Sequence, residues 1–170
     1  GKQAMPYLDI DNSTITKRLV AKEVLYTAFK FCKSQGTVKV DTISNADLTH
    51  GEFGNSSDWA NNKIAIKSWI ENSNNANIIE NIVIYLVRSV DKRNEVINYV
   101  MDTSTDNGLL CKIDSYVNNP TFIQEPLAER LAAAGLLPMF GFPTQVRYFY
   151  HGKQNLINGT IKYQRVDRNT

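Results

Sequence analysis

The sequence predicts a mainly α-helical domain of about five to six helices, with a small β hairpin or sheet near the C-terminus; an α+β arrangement is the alternative. Three observations predict it. Apolar residues recur at helical spacing through most of residues 13–134. Helix-stopping strings, "NSNNAN" and "NNP", separate the periodic segments. Beyond residue 144 the period shortens: "QVRYFYH" alternates, and "LINGTIKYQRV" sets an Asn-Gly pair between apolar residues, a strong hairpin signal.

The elements follow in order. "PYLDIDNSTI" reads as an extended lead-in, because Pro6 disfavours helical geometry in its predecessor and Asn12 or Ser13 can cap a helix. The first helix covers about 13–35, with Ala21, Val24, Leu25, Ala28, Phe31 and Cys32 on the core arc. "GTVKVDTISNADLTHGEFGNSSDW" is loop-rich, with one short alternating segment at Val38 and Val40. Ser56 or Ser57 is expected to cap a helix ending near Glu71 that buries Trp59, Ala65, Ile66, Trp69 and Ile70. A strongly apolar helix follows, carrying Ile78, Ile79, Ile82, Val83, Leu86 and Val90. Val96, Ile97, Val100 and Met101 mark the next, and residues 109–117 another, stopped by Asn118-Asn119-Pro120. Pro126 suits the first turn of a short helix over 127–134, with Gly135 at its C′ position. The chain thus divides into a lead-in (1–12), a helical domain (13–143), and a hairpin with an exit towards a following domain (144–170).

At 170 residues, 42% hydrophobic and 21% charged, the chain is long enough for one domain with a real core. No apolar run approaches the ~20 residues that span a bilayer, and no signal-like N-terminus is present, so a cytoplasmic location without membrane contact is expected. The first residue is Gly1 and not Met, as in a piece of a longer chain. Cys32 and Cys111 stand far apart in helical patterns and read as buried thiols. With no Cys-x-x-Cys and with His50 and His151 isolated, no metal or other cofactor is expected in this chain.

The net charge of +2 hides an asymmetry: residues 13–35 and 144–170 together carry +8, and the remainder −6. Basic ends point to a polyanionic partner. On the first helix Arg18, Lys22, Tyr26, Phe29 and Lys33 share an arc roughly 80° wide at the helical period, mixing bases with aromatics as a nucleic-acid surface does. The competing reading is a solvated basic face whose two aromatics pack on a neighbour. Phosphate-loop, nucleophile-elbow and zinc-protease motifs are all missing. His50 beside Glu52 reads as a loop residue bonding its own backbone, and Asp9 and Asp11 as turn or capping residues. No catalytic residue is assigned.

Three stretches carry a resemblance: "MPYLDIDNSTITKRLVAKEVL", "THGEFGNSSDW" and "LAERLAAAGLLPMFGFPTQVRYFYH". In that order they resemble the region of large bacterial superfamily-two DEAD/DEAH-box helicases between the second RecA-like motor domain and a terminal four-cysteine metal-binding module. The group includes mitomycin-repair helicases and helicases of DISARM-type phage defence. The matches cover about 5–25, 49–59 and 126–150, and "GLLPMFGFPTQVR" is their specific part; "IKYQRVDRNT" resembles the lead-in to the metal module. His50, Gly51, Phe53, Gly54, Trp59, Gly135, Pro138, Gly141 and Pro143 are the motif's structural residues. This chain has Gln145 where the family pattern commonly has a base.

The resemblance implies a non-catalytic accessory domain that guides nucleic acid, DNA favoured, and braces the motor domains. ATP and magnesium would belong to the upstream motor and zinc to the downstream module. Partners would be the RecA-like domains of the same chain and other repair or defence subunits. Arg18, Lys22 and Lys33, continued by Arg147 and Arg165, would contact phosphates, and Tyr26 and Phe29 would stack on bases. The alternative is a protein-interaction or structural module, docking an acidic partner or its own motor without touching nucleic acid. Leu136, Leu137, Met139, Phe140 and Phe142 are expected to form a partly exposed patch that belongs against the motor and would dimerise the isolated piece.

Overall fold

Helix α1 (Ser13–Ser34) forms the axis of the molecule, and α2 (Trp59–Glu71), α3 (Ala76–Leu86) and α4 (Val90–Met101) all pack against it. Helix α5 (Leu109–Val117) lies on α2 and α4 and carries the short α6 (Leu127–Ala133). These elements come from a computed structural model that describes residues 13–40, 51–118 and 125–139. Among the described residues there is no strand, and the one isolated bridge joins Asn55 to Pro126. The lead-in and the expected hairpin lie outside the described residues.

The helices form where the spacing places them. Ile78, Ile79, Ile82, Val83 and Leu86 line the buried side of α3; Val96 and Val100 do so for α4, and Leu109, Leu110 and Ile113 for α5. Leu127, Ala128 and Leu131 seat α6. Together with Trp59, Ile66, Trp69 and Ile70 of α2 they make a single core. No helix among the described residues is long and apolar enough to cross a membrane.

Helix α1 departs most from a simple amphipathic reading. All residues from 19 to 25 are buried, including Lys22 and Glu23, because neighbours enclose this part of the helix on several sides. Beyond residue 29 the enclosure ends. Phe31, expected on the core arc, is 51% exposed, while its neighbour Cys32 stays inside and donates its thiol to the Ala65 carbonyl at 3.7 Å. Burial pushes the Cys32 thiol up, with a smaller opposing effect from Thr37.

Two boundaries also move. Val90, expected on the last turn of α3, is exposed and opens α4, because the chain straightens at Val87–Ser89. Ser56–Asp58 forms a 3₁₀ turn, so neither Ser56 nor Ser57 caps α2; the Asn55 N–H donates to the Asp58 carboxylate at 3.1 Å instead.

Truncating a core side chain should therefore cost far more than truncating a large exposed one. Ile79→Ala or Leu110→Ala is expected to lose about 2–5 kcal/mol, and exposed Ile64→Ala at most about 0.5 kcal/mol. Urea unfolding of the three variants checks the ordering.

Candidate functional site

The three stretches singled out in the sequence meet in space, wherever they are described, and lock one another in place. The link begins at the turn before α2. There the Gly54 N–H donates to the Gly51 carbonyl at 3.2 Å, and Gly54 takes φ +74°, in the left-handed region that favours glycine. A Cβ at Gly54 would also sit 3.2 Å from the Lys39 carbonyl oxygen. The turn directs Phe53 fully inward, with its ring centroid 5.1 Å from Phe29, while Phe29 lies 6.5 Å from Trp59. Trp59 is held in turn by α5: its indole N–H donates to Asp114 at 2.8 Å, and the other carboxylate oxygen takes Lys63.

The same turn grips α6. The Leu127 N–H donates to the Gly54 carbonyl and the Ser56 N–H to the Glu125 carbonyl, both at 2.8 Å. Helix α6 then ends as expected, on Gly135 at φ +81°, with the Leu136 N–H returning to the Leu131 carbonyl at 2.9 Å. The Gly135 carbonyl accepts from Arg18 Nε at 2.8 Å, which closes a circuit from α1 through the turn and α6 back to α1. Beside it, Lys22 Nζ lies 3.9 Å from Glu52, with both side chains largely buried at 8% and 14% exposure.

This arrangement corrects the picture of one exposed basic and aromatic stripe. Phe29 is a core residue packed at a tilt against Phe53 and Trp59, so its ring offers no face to a base. Lys22 is spent on a buried pair, and Arg18 commits its Nε to a helix terminus. Tyr26 is half-buried, with Lys30 6.0 Å from its ring centroid, and Lys33 is exposed. The five residues share one side of α1, yet Lys22 and Phe29 on it are buried, Arg18 and Tyr26 half-buried, and Lys33 alone among them is exposed.

Gly51, Phe53, Gly54, Trp59 and Gly135 all belong to the circuit, and half-buried Pro138 follows it. His50, Gly141, Pro143, Arg147 and Arg165 lie outside the described residues. Of the expected apolar patch, Leu136 and Leu137 are buried and Met139 is exposed, while Phe140 and Phe142 lie outside the described residues.

Next to the Arg18–Gly135 contact lies a groove of about 1010 Å³ between α1, α4, α5 and the end of α6. Arg18, Lys112, Tyr99, Asp106 and Cys111 are among its walls. Lys17 reaches across it to Glu95 at 3.1 Å, passing 5.2 Å from the centre of the Tyr99 ring. Burial pushes the Tyr99 hydroxyl up to about 12. At the rim Asp102 accepts from the Thr105 hydroxyl and from the Thr105 and Ser104 N–H groups, which hold its carboxyl below the usual range. The wall charges are mixed and partly paired with one another. Among the described residues no group of three His, Cys, Asp or Glu side chains could hold a metal ion.

Comparison with models of known families, with curated proteins and with solved structures finds no match. Asp114 joins this arrangement without any signal in its own stretch of sequence. Its partners Trp59 and Lys63 lie 55 and 51 residues away, a pairing that no local pattern signals.

Two tests follow from this geometry. Lys22→Ala should destabilise the fold by roughly 1–3 kcal/mol, as a substitution inside a packed helix does, whereas exposed Lys33→Ala should change it by less than about 0.5 kcal/mol. Denaturant midpoints of the two variants check the contrast. For Asp102, a depressed native pKa means that its contribution is present above the usual carboxylate value and lost as pH falls through the native one. Asp102→Asn should therefore lower the melting temperature at neutral pH, and the difference from wild type should shrink in acid; a gap that stays constant with pH would contradict this.

Proposed function

We propose that the chain is a non-catalytic accessory module that braces an ATP-dependent nucleic-acid motor of the superfamily-two helicase type. One observation carries the reading: the described parts of all three helicase-like stretches converge on one circuit of contacts. Such a circuit makes a stiff body from segments scattered along the chain. In this reading α6 and residues 134–139 after it form a strut, anchored to α1 by Arg18 and to the turn by Gly54. Chemistry stays with the motor, which supplies ATP and magnesium, and zinc stays with the cysteine module.

The engagement of Arg18, Lys22 and Phe29 within the fold weights bracing above a guiding role for the first half of α1. The second reading, a module docking an acidic partner or its own motor without touching nucleic acid, draws on the same engagement.

The test is functional. The tagged chain, or the longer protein containing it, is purified from its own cells and assayed for ATP hydrolysis with and without nucleic acid. Nucleic-acid-stimulated hydrolysis should accompany the wild type and fall several-fold when Gly135→Val disrupts the anchored helix end, while the separate 170-residue chain hydrolyses nothing. Absence of any stimulated ATPase in the purified material would overturn the reading, and hydrolysis by the separate chain would overturn its non-catalytic part.

A further inference from the structure

We infer that the groove between α1, α4 and α5 is a binding site for a small sugar phosphate, whose phosphate is held by Arg18, Tyr99 and Lys112. The inference concerns this chain by itself and does not rest on the motor of the proposed function.

Helix faces build the groove. On α4 Glu95, Asn98 and Tyr99 are spaced three and four residues apart, and on α5 so are Lys112, Ser115 and Tyr116, so each set shares one face of its helix. Arg18 lines the same space from α1, beside the end of α6. At about 1010 Å³ the groove reaches the upper end of the range for small-molecule sites and far exceeds a bare phosphate ion.

Formal charge does not single out a ligand, since Lys17, Arg18 and Lys112 are matched in number by Glu95, Asp102 and Asp106. Engagement does. Glu95 takes Lys17 at 3.1 Å, and Asp102 accepts from the Thr105 hydroxyl and from two backbone N–H groups. Asp106 stands exposed in the loop before α5, where solvent screens it. Three donor groups on the walls, by contrast, have no acceptor among the described residues. Arg18 gives its Nε to the Gly135 carbonyl at 2.8 Å, which fixes the guanidinium and leaves its terminal amino groups unbonded. The Lys112 ammonium makes no ion pair among the described residues. The Tyr99 hydroxyl is half-buried and kept protonated by that burial, in a setting where a tyrosine hydroxyl ordinarily finds a partner.

Donors without acceptors select an acceptor-rich ligand. A phosphate monoester brings three terminal oxygens and a charge of roughly −1.5 to −2 at pH 7, more of both than a carboxylate. An arginine fork receives two such oxygens side by side, and a lysine adds a point charge. The rest of the groove presents the exposed polar side chains of Asn98 and Ser115, which suit hydroxyls better than hydrocarbon. A sugar phosphate meets both demands.

The experiment titrates the 170-residue chain with ribose 5-phosphate, inorganic phosphate and ribose by calorimetry, and follows iodoacetamide labelling of Cys111 by mass spectrometry. Cys111 is half-buried on the groove wall, whereas Cys32, the other cysteine of the chain, is buried against Ala65. Ribose 5-phosphate should bind more tightly than inorganic phosphate and should slow the labelling of Cys111, while ribose should not bind. Lys112→Gln and Tyr99→Phe should each weaken binding about tenfold to a hundredfold, the range for a hydrogen bond to a charged group. Glu95→Gln should tighten it, because that change releases Lys17 into the groove. Melting temperatures of the three variants report that they fold. Absence of binding by ribose 5-phosphate, equal binding by ribose, or binding that leaves Cys111 labelling unchanged would each overturn the site. Unchanged affinity in both weakened variants would overturn the assigned contacts, and inorganic phosphate binding as tightly as ribose 5-phosphate would overturn the sugar part. None of these results touches the bracing role, whose ATPase test rests on Gly135→Val.

Discussion

The 2.8 Å bond from the Leu127 N–H to the Gly54 carbonyl is the closure on which the rest of this fold depends. It fastens two chain segments more than seventy residues apart, and it forms only because Gly54 adopts a backbone geometry that other residues resist. The turn that exposes this carbonyl also drives Phe53 into the core and brings Glu52 to Lys22. Bonding outside, packing inside and charge at the flank are therefore three results of one backbone conformation. The Asn55–Pro126 bridge places the start of α6, and the Arg18 guanidinium then takes up the carbonyl at its far end.

A central helix of this kind must carry charge inside. Helix α1 meets α2, α3 and α4, and no ordinary polar face remains along its middle turns. Lys22 escapes the full penalty of burial by standing 3.9 Å from the Glu52 carboxylate. Arg18 solves the same problem by serving a helix C-terminus, where unsatisfied carbonyls and the partial negative charge of the helix end favour a cation. Lys22 is thereby enclosed within the domain, while Arg18 keeps part of its guanidinium on the groove wall. The helix becomes amphipathic in the usual sense only after residue 29, where its neighbours fall away.

This division gives one helix two environments. The first half of α1 is packed on every side that the described residues define, and tightly packed elements deform little. Its last turns keep long side chains at the surface, where they remain free to move. The groove beside Arg18 borders the packed half: its walls pair Lys17 with Glu95 and tie Asp102 to its own loop.

Much of the fold was legible in the residues themselves. The apolar spacing of α3, α5 and α6 and the glycine after α6 depend on local geometry alone, so they could be read without knowing what the helices touch. The spacing also put Arg18, Lys22, Tyr26, Phe29 and Lys33 on one arc, because periodicity reports direction around a helix. It cannot report what stands on each side. Whether a residue on that arc meets solvent or a neighbour depends on where other helices end, and those positions follow from contacts such as Trp59 with Asp114 or Gly54 with Leu127. By itself the sequence determined which segments become helices, since those preferences act over one or two turns, while the break at Val87–Ser89 and the 3₁₀ turn at Ser56–Asp58 came with the fold. Only the tertiary structure decided that Lys22 and Phe29 are interior and Phe31 is not, because burial belongs to the assembled set of elements and to no segment alone.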